Sequence, residues 1–160
     1  MKSQAAQSTS EIIASLPQDV QLVAVSKYHP AEMIREVYEG SSQRIFAESH
    51  AQELQTKHEV LPKDIQWHFI GHLQRNKVKY IVPYISLIHS VDSSRLLTEI
   101  NKQAISAGVR VDCLLQLHVA QEETKFGFTP QECLEYLKTG EWKTMTGVRI
   151  SCPLYTSYAA

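Results

Sequence analysis

Val23-Ala24-Val25-Ser26-Lys27-Tyr28-His29-Pro30 ends an apolar run on a lysine and then turns. Apolar and β-branched residues before a polar break read as a buried strand, and in parallel α/β folds ligands sit at the C-terminal ends of strands. The stretch is informative for what it lacks. No glycine-rich phosphate loop follows it, where a dinucleotide-binding or Walker-type sheet carries one. Lys27 stands at the strand's end. On position alone such a lysine is a solvated terminal charge. Pressed into low-dielectric surroundings, the same amine loses part of its preference for the proton and can form a Schiff base with a carbonyl.

On the N-terminal side, residues 1–9 are small and polar and read as frayed. Residues 10–16 read as a short helix capped by Ser10 and stopped before Pro17, and a strand follows over about 21–26. On the C-terminal side, Pro30 opens a helix that places Met33, Ile34 and Val37 on one face before Gly40 ends it. Strands are expected over 44–49, 66–71, 86–92, 111–119 and 145–150. Helices are expected between them: 51–59, then about 76–82 up to Pro83. A third, capped by Ser93 or Ser94, carries Leu96, Leu97, Ile100, Ala104 and Ile105 to Gly108, and a fourth runs from Thr129-Pro130 to Gly140.

Strict alternation gives about five βα units and a sixth strand, the pattern of a parallel sheet with helical crossovers. Two closures are open to it. A doubly wound sheet would be complete at 160 residues, whereas a (β/α)8 barrel needs roughly 250 residues and eight units. The missing glycine loop weighs against the first. Polar residues near strand ends, such as His68 between Trp67 and Phe69, suit the mouth of a barrel.

The composition is 43% hydrophobic with a formal charge of -1, from 16 basic and 17 acidic residues, which gives no electrostatic case for nucleic acid. No apolar run is long enough to span a bilayer, and Met1-Lys2-Ser3-Gln4 leads into no apolar signal region. Cys113, Cys133 and Cys152 are odd in number and widely spaced, as suits reduced thiols, so a cytoplasmic location is expected. His68 and His72 are four apart, but the residues between them are strand-like and no HExxH is present, so a metal site is not expected. Cys113 and Cys133 fall in apolar elements where thiols are inert. Glu122, Glu123 and Lys125 read as a solvated charged loop.

Several segments together resemble the pyridoxal phosphate (PLP) homeostasis proteins, a family of single-domain barrels similar to the N-terminal domain of alanine racemase. They are Ala24-Val25-Ser26-Lys27, the run from Trp67 through His68, Gly71 and Gln74 to Lys77, His89-Ser90-Val91-Asp92 and Glu123-Thr124-Lys125-Phe126-Gly127, in matching order and spacing. The resemblance covers about residues 10–150. It implies an incomplete (β/α)8 TIM-type barrel and makes Lys27 the residue that joins PLP as a Schiff base. Ser49 is a weaker candidate: the family pattern Phe-Gly-Glu-Asn reads Phe46-Ala47-Glu48-Ser49 here, and Ser49 keeps a short hydrogen-bonding side chain. His68 and Gly71 are expected at the same mouth.

The implied role is binding PLP and supporting vitamin B6 homeostasis without catalytic turnover, in a monomer with no nucleic-acid or membrane partner. A PLP-dependent racemase or decarboxylase of the alanine racemase fold is the alternative, and it would need a catalytic base from a further domain. Residues 1–150 are expected to form a partial PLP-binding barrel, and 151–160 read as a foreign tail. In the family the cofactor's phosphate is held by loops near the last two strands. A chain with only six strands is therefore expected to bind PLP poorly and to aggregate through its unpaired edges.

Overall fold

The computed structural model describes residues 3–118 and 126–151. Val119, the expected end of the fifth strand, the loop residues Glu122 to Lys125, Cys152 and the rest of the expected tail lie outside the described residues. Six strands, β1 (Ala24–Val25), β2 (Ile45–Glu48), β3 (Gln66–Phe69), β4 (Ile85–Val91), β5 (Val111–Leu115) and β6 (Val148–Ile150), form one sheet. Every pairing is parallel, and the spatial order repeats the order in the chain. This is the α/β architecture that the alternation predicts, with β1 and β6 at its two edges.

The helices are α1 (Gln4–Ser15), α2 (Ala31–Gly40), α3 (Ala51–Val60), α4 (Val78–Ile81), α5 (Ser94–Ala107) and α6 (Pro130–Thr139), with short 3-10 turns before α4 and before β6. Several ends follow from local chemistry. Thr129 and Glu132 close a reciprocal capping box, and Pro130 occupies the first turn of α6. The Ser93 side chain accepts from the Leu96 N–H at the start of α5, and Gly108 ends it at φ 68 in the left-handed region.

The N-terminus differs from its expected frayed state. Helix α1 starts at Gln4, with Ser3 accepting from the Ala6 N–H, while Ser10 is mid-helix and donates to the Ala6 carbonyl. Ala6 is fully buried, so tertiary packing orders a segment that looks too polar to fold. Two residues of the expected apolar stripes also turn outward: Met33 is 38% and Ile105 55% exposed, leaving Ile34, Val37, Leu96, Leu97, Ile100 and Ala104 to seal their helices.

Side chains alternate across the sheet. Phe46, Trp67, Phe69, Ile88, Cys113 and Leu115 point to the helix layer and form one core with Leu54, Val78, Leu97 and Ile100. Each such large side chain contributes about 1.5–3 kcal/mol when fully buried. Burial pushes the Cys113 thiol up to about 12, helped by Asp112, and raises that of Cys133. Both are protonated packing residues. The opposite, inner face carries the row Val25, Ala47, His68 and Leu87, aligned by register. Its edge is open: Val25 is 51% exposed.

Candidate functional site

Strand β1 ends at Val25, and the chain turns through Ser26-Lys27-Tyr28-His29 into Pro30, which caps α2. The His29 N–H donates to the Ser26 carbonyl at 3.1 Å, closing a four-residue turn with Lys27 and Tyr28 at its centre. Tyr28 has φ 66, the one positive φ at a non-glycine residue among the described residues. A positive φ at the third position is what a type II turn demands, and glycine usually supplies it. For a tyrosine the conformation costs about 1–3 kcal/mol and needs surrounding structure to impose it.

That structure is a buried polar network behind the turn. The Ser26 N–H donates to the Ala47 carbonyl at 2.9 Å, and its hydroxyl donates to Glu48 Oε1 at 2.6 Å. Lys57, from α3, donates to the Ser26 carbonyl at 2.8 Å, to Glu48 Oε1 at 2.6 Å and to Glu53 Oε1 at 2.6 Å. Glu53 Oε1 also accepts from the Tyr28 N–H at 2.7 Å. Glu48 is fully buried and Lys57 is 5% exposed. Burial pushes the Glu48 carboxyl above its ordinary range, against the hydrogen bonds from Lys57 and Ser26. Burial also works to raise Glu53, but Lys57 and the Tyr28 N–H outweigh it and hold that carboxyl below its ordinary value.

Lys27 itself is exposed at the head of this turn. Low dielectric lies behind the turn, at Glu48 and Lys57, while the Lys27 Nζ stands 6.0 Å from the Tyr28 ring, as a solvated terminal charge would.

Ser49 follows β2 directly and is half-buried. Gly71, after β3, lies against it: a Cβ there would stand 2.1 Å from the Ser49 carbonyl oxygen, so only glycine allows this approach. Ser49 also borders a cavity of about 350 Å³ with Phe69, His72, Leu73 and Lys77 at the C-terminal ends of β2 and β3. Lys27 does not line that cavity. The structure therefore brings Ser49 and Gly71 together and sets Lys27 on the adjoining turn.

His68 faces the inner side, in register with Ala47 and through it with Val25. Its Nδ1 lies 3.0 Å from Nε2 of His89 on β4, one ring donating and the other accepting. Burial, with the nearby His89, lowers His68 to about 4, and burial lowers His89 too. Both imidazoles are therefore neutral at pH 7. His72, instead of sharing a ligand set with His68, pairs with Asp92 at 3.0 Å and stacks on Phe126 with ring centroids 3.7 Å apart.

Sequence reasoning missed Glu48, Glu53, Lys57 and the role of His89. Three of these carried a signal. Glu48 closes an otherwise apolar strand, and Glu53 and Lys57 stand four apart on one helix.

With this geometry in view, likeness to known proteins can be stated. The family model for the alanine racemase N-terminal domain matches residues 3–150. The pyridoxal phosphate homeostasis protein of Aquifex aeolicus is 42% identical over 115 residues, 71% of this chain and 50% of that protein. The chain spans about half the length of the curated relatives it matches. Among solved structures, PipY of Synechococcus elongatus with PLP bound superposes with a TM-score of 0.87 at 32% identity, over 98% of this chain and 72% of that one. Alanine racemase of E. faecalis superposes with a TM-score of 0.73 at 15% identity, over 97% of this chain and 42% of that one, a likeness of fold alone. The fold and the family match thus define a member of the alanine racemase N-terminal-domain class. Within that class the chain belongs to the pyridoxal phosphate homeostasis protein family.

Proposed function

We propose that this chain binds pyridoxal 5'-phosphate through Lys27 and serves PLP homeostasis rather than amino-acid turnover. The observation that carries the reading is the presentation of Lys27: an exposed lysine at the C-terminal end of a barrel strand, with the Ser26 N–H, hydroxyl and carbonyl before it and the Tyr28 N–H after it each hydrogen-bonded. The donor set suits the cofactor. When bound, PLP supplies an aldehyde and an electron-withdrawing ring. Lys27 would hold the cofactor through its amine, the group that an aldehyde accepts with loss of water. Ser49 would offer a hydroxyl at the same mouth, and Gly71 would keep the Ser49 backbone in place. The neutral His68 and His89 pair would give the inner face hydrogen-bonding capacity without charge.

The non-catalytic reading is supported by the names of the relatives at around 40% identity, which are homeostasis proteins, whereas the racemases share little more than the fold. A cytoplasmic location fits this reading; among the described residues no helix is long and apolar enough to cross a membrane. The test is reductive trapping. Incubation with PLP followed by borohydride, then peptide mapping, is expected to place the phosphopyridoxyl group on Lys27 and to lose it in Lys27→Ala. Label spread over surface lysines with Lys27 unmodified would refute the assignment. Racemisation of an amino acid that disappears in Lys27→Ala would replace the carrier role with an enzymatic one.

A further inference from the structure

Lys27 stands exposed between two residues whose backbones are anchored by the surrounding structure. Ser26 before it is tied at three points: N–H to Ala47, hydroxyl to Glu48, and carbonyl shared between the His29 N–H and the Lys57 ammonium. Tyr28 after it is held by its N–H on Glu53, in a left-handed conformation that a tyrosine does not choose unaided. A single ammonium, Lys57 Nζ, joins these anchors, because it touches the Ser26 carbonyl, Glu48 and Glu53 together. Glu48 and Lys57 lie on the helix-covered side of the sheet, away from the inner face. A charged cluster buried there is an expensive way to fill space, which makes the backbone it grips its most evident purpose.

We propose that Glu48, Lys57 and Glu53 are positioning residues that clamp the Ser26 to His29 turn and so fix the direction in which Lys27 presents its amine. The inference rests on the Lys27 reading above and deepens it. The clamp acts through the backbone on both sides of Lys27 and touches no bound group. Loosening it leaves the amine's chemistry intact but spreads its orientations, and misplacement of this kind is costly for a reaction that needs alignment.

Glu53 is the member best suited to a test, since it sits at the rim of the cluster with its side chain 24% exposed. The rate of PLP and borohydride incorporation at Lys27 would be measured in the full chain. The exposed Lys102 on α5 serves as an internal control, and a thermal melt checks folding. Glu53→Ala removes the acceptor for the Tyr28 N–H and is expected to slow labelling of Lys27 by about tenfold, with Lys102 unchanged. Glu53→Gln keeps an acceptor oxygen at that place and is expected to restore most of the rate, which a loss of general stability would not do. If Glu53→Ala does not melt cooperatively, Ser26→Ala takes its place: it removes the hydroxyl tie to Glu48 and carries the same expectation. Wild-type labelling at Lys27 with an unaltered rate in the folded variant overturns the clamp and leaves the Lys27 assignment standing. Absence of Lys27 labelling in the wild type overturns both.

Discussion

Two ion pairs sit on opposite faces of the same sheet. Behind the sheet, Glu48 and Lys57 meet at 2.6 Å with side chains 0% and 6% exposed. On the inner face, Asp112 of β5 and Arg149 of β6 make a two-pronged contact, Nε to Oδ1 at 2.7 Å, with side chains 30% and 60% exposed. The geometry of the second pair is at least as good, and Asp112 holds the Arg149 guanidinium above its ordinary pKa. The surroundings differ. Water screens one pair and is excluded from the other, so similar contacts have very different consequences when broken.

The largest expected effect comes from breaking the buried pair on one side only. Lys57→Met leaves buried Glu48 without its cation, and should cost about 3–5 kcal/mol in urea unfolding. Glu48→Leu combined with Lys57→Met removes both charges and should recover most of that loss. Equal losses in the single and double variants would mean that the site is governed by packing rather than charge, and the contrast between the faces would disappear.

The inner face has its own buried titrating group. His68 has a folded pKa of about 4 against an ordinary value of 6.5. A folded pKa below the unfolded one means the unfolded chain takes the proton first as pH falls. The stability held by neutral His68 is therefore complete above about pH 6.5 and is lost towards pH 4, to the extent of about 3 kcal/mol. Urea midpoints measured from pH 7 to pH 4 should fall less steeply in His68→Gln than in the wild type. Parallel slopes would show that the carboxylates alone set the acid sensitivity.

The smallest effect is expected at the exposed pair. Arg149→Ala should shift Tm by no more than about 3 °C, and the shift should shrink further in added salt. A large, salt-independent drop would place this pair among the structural elements of the sheet and narrow the distinction drawn here.

Much of the fold is legible in the sequence because its punctuation is local. Thr129-Pro130, Gly108 and Gly140 each mark a helix end through contacts within a few residues and are found where the pattern places them, and of the two candidate serines Ser93 is the cap. The strands come out shorter than the apolar runs suggest. Val23 and Gly71, for instance, lie outside β1 and β3, since ladder pairing stops before the apolar character does. The first half of the N-terminal helix was hidden because its capping serine is followed by small polar residues whose buried anchor, Ala6, packs within a segment held against a distant helix.

At the candidate site the exposed turn after an apolar strand was legible, and the resemblance singled out Lys27 within it. Its support was not. Glu48 and Lys57 are nine residues apart and meet only because α3 folds back over β2, while His68 and His89 meet only through the register of β3 against β4. A glutamate and lysine four apart on a helix ordinarily describe a wet surface pair, and nothing in the spacing of Glu53 and Lys57 tells that Lys57 is buried.

The order of the strands carries a consequence for how such a molecule comes into being. Each strand's hydrogen-bonded neighbour is the next strand to be synthesised, so no early segment waits for a distant partner. Growth can proceed by accretion, one βα unit onto the last, with short loops to close at each step. The turn that carries Lys27, the strand it leans on and the helix that grips it all lie between Ala24 and Val60. This corner is thus among the first parts able to take shape as the chain leaves the ribosome, before the far side of the sheet has been made.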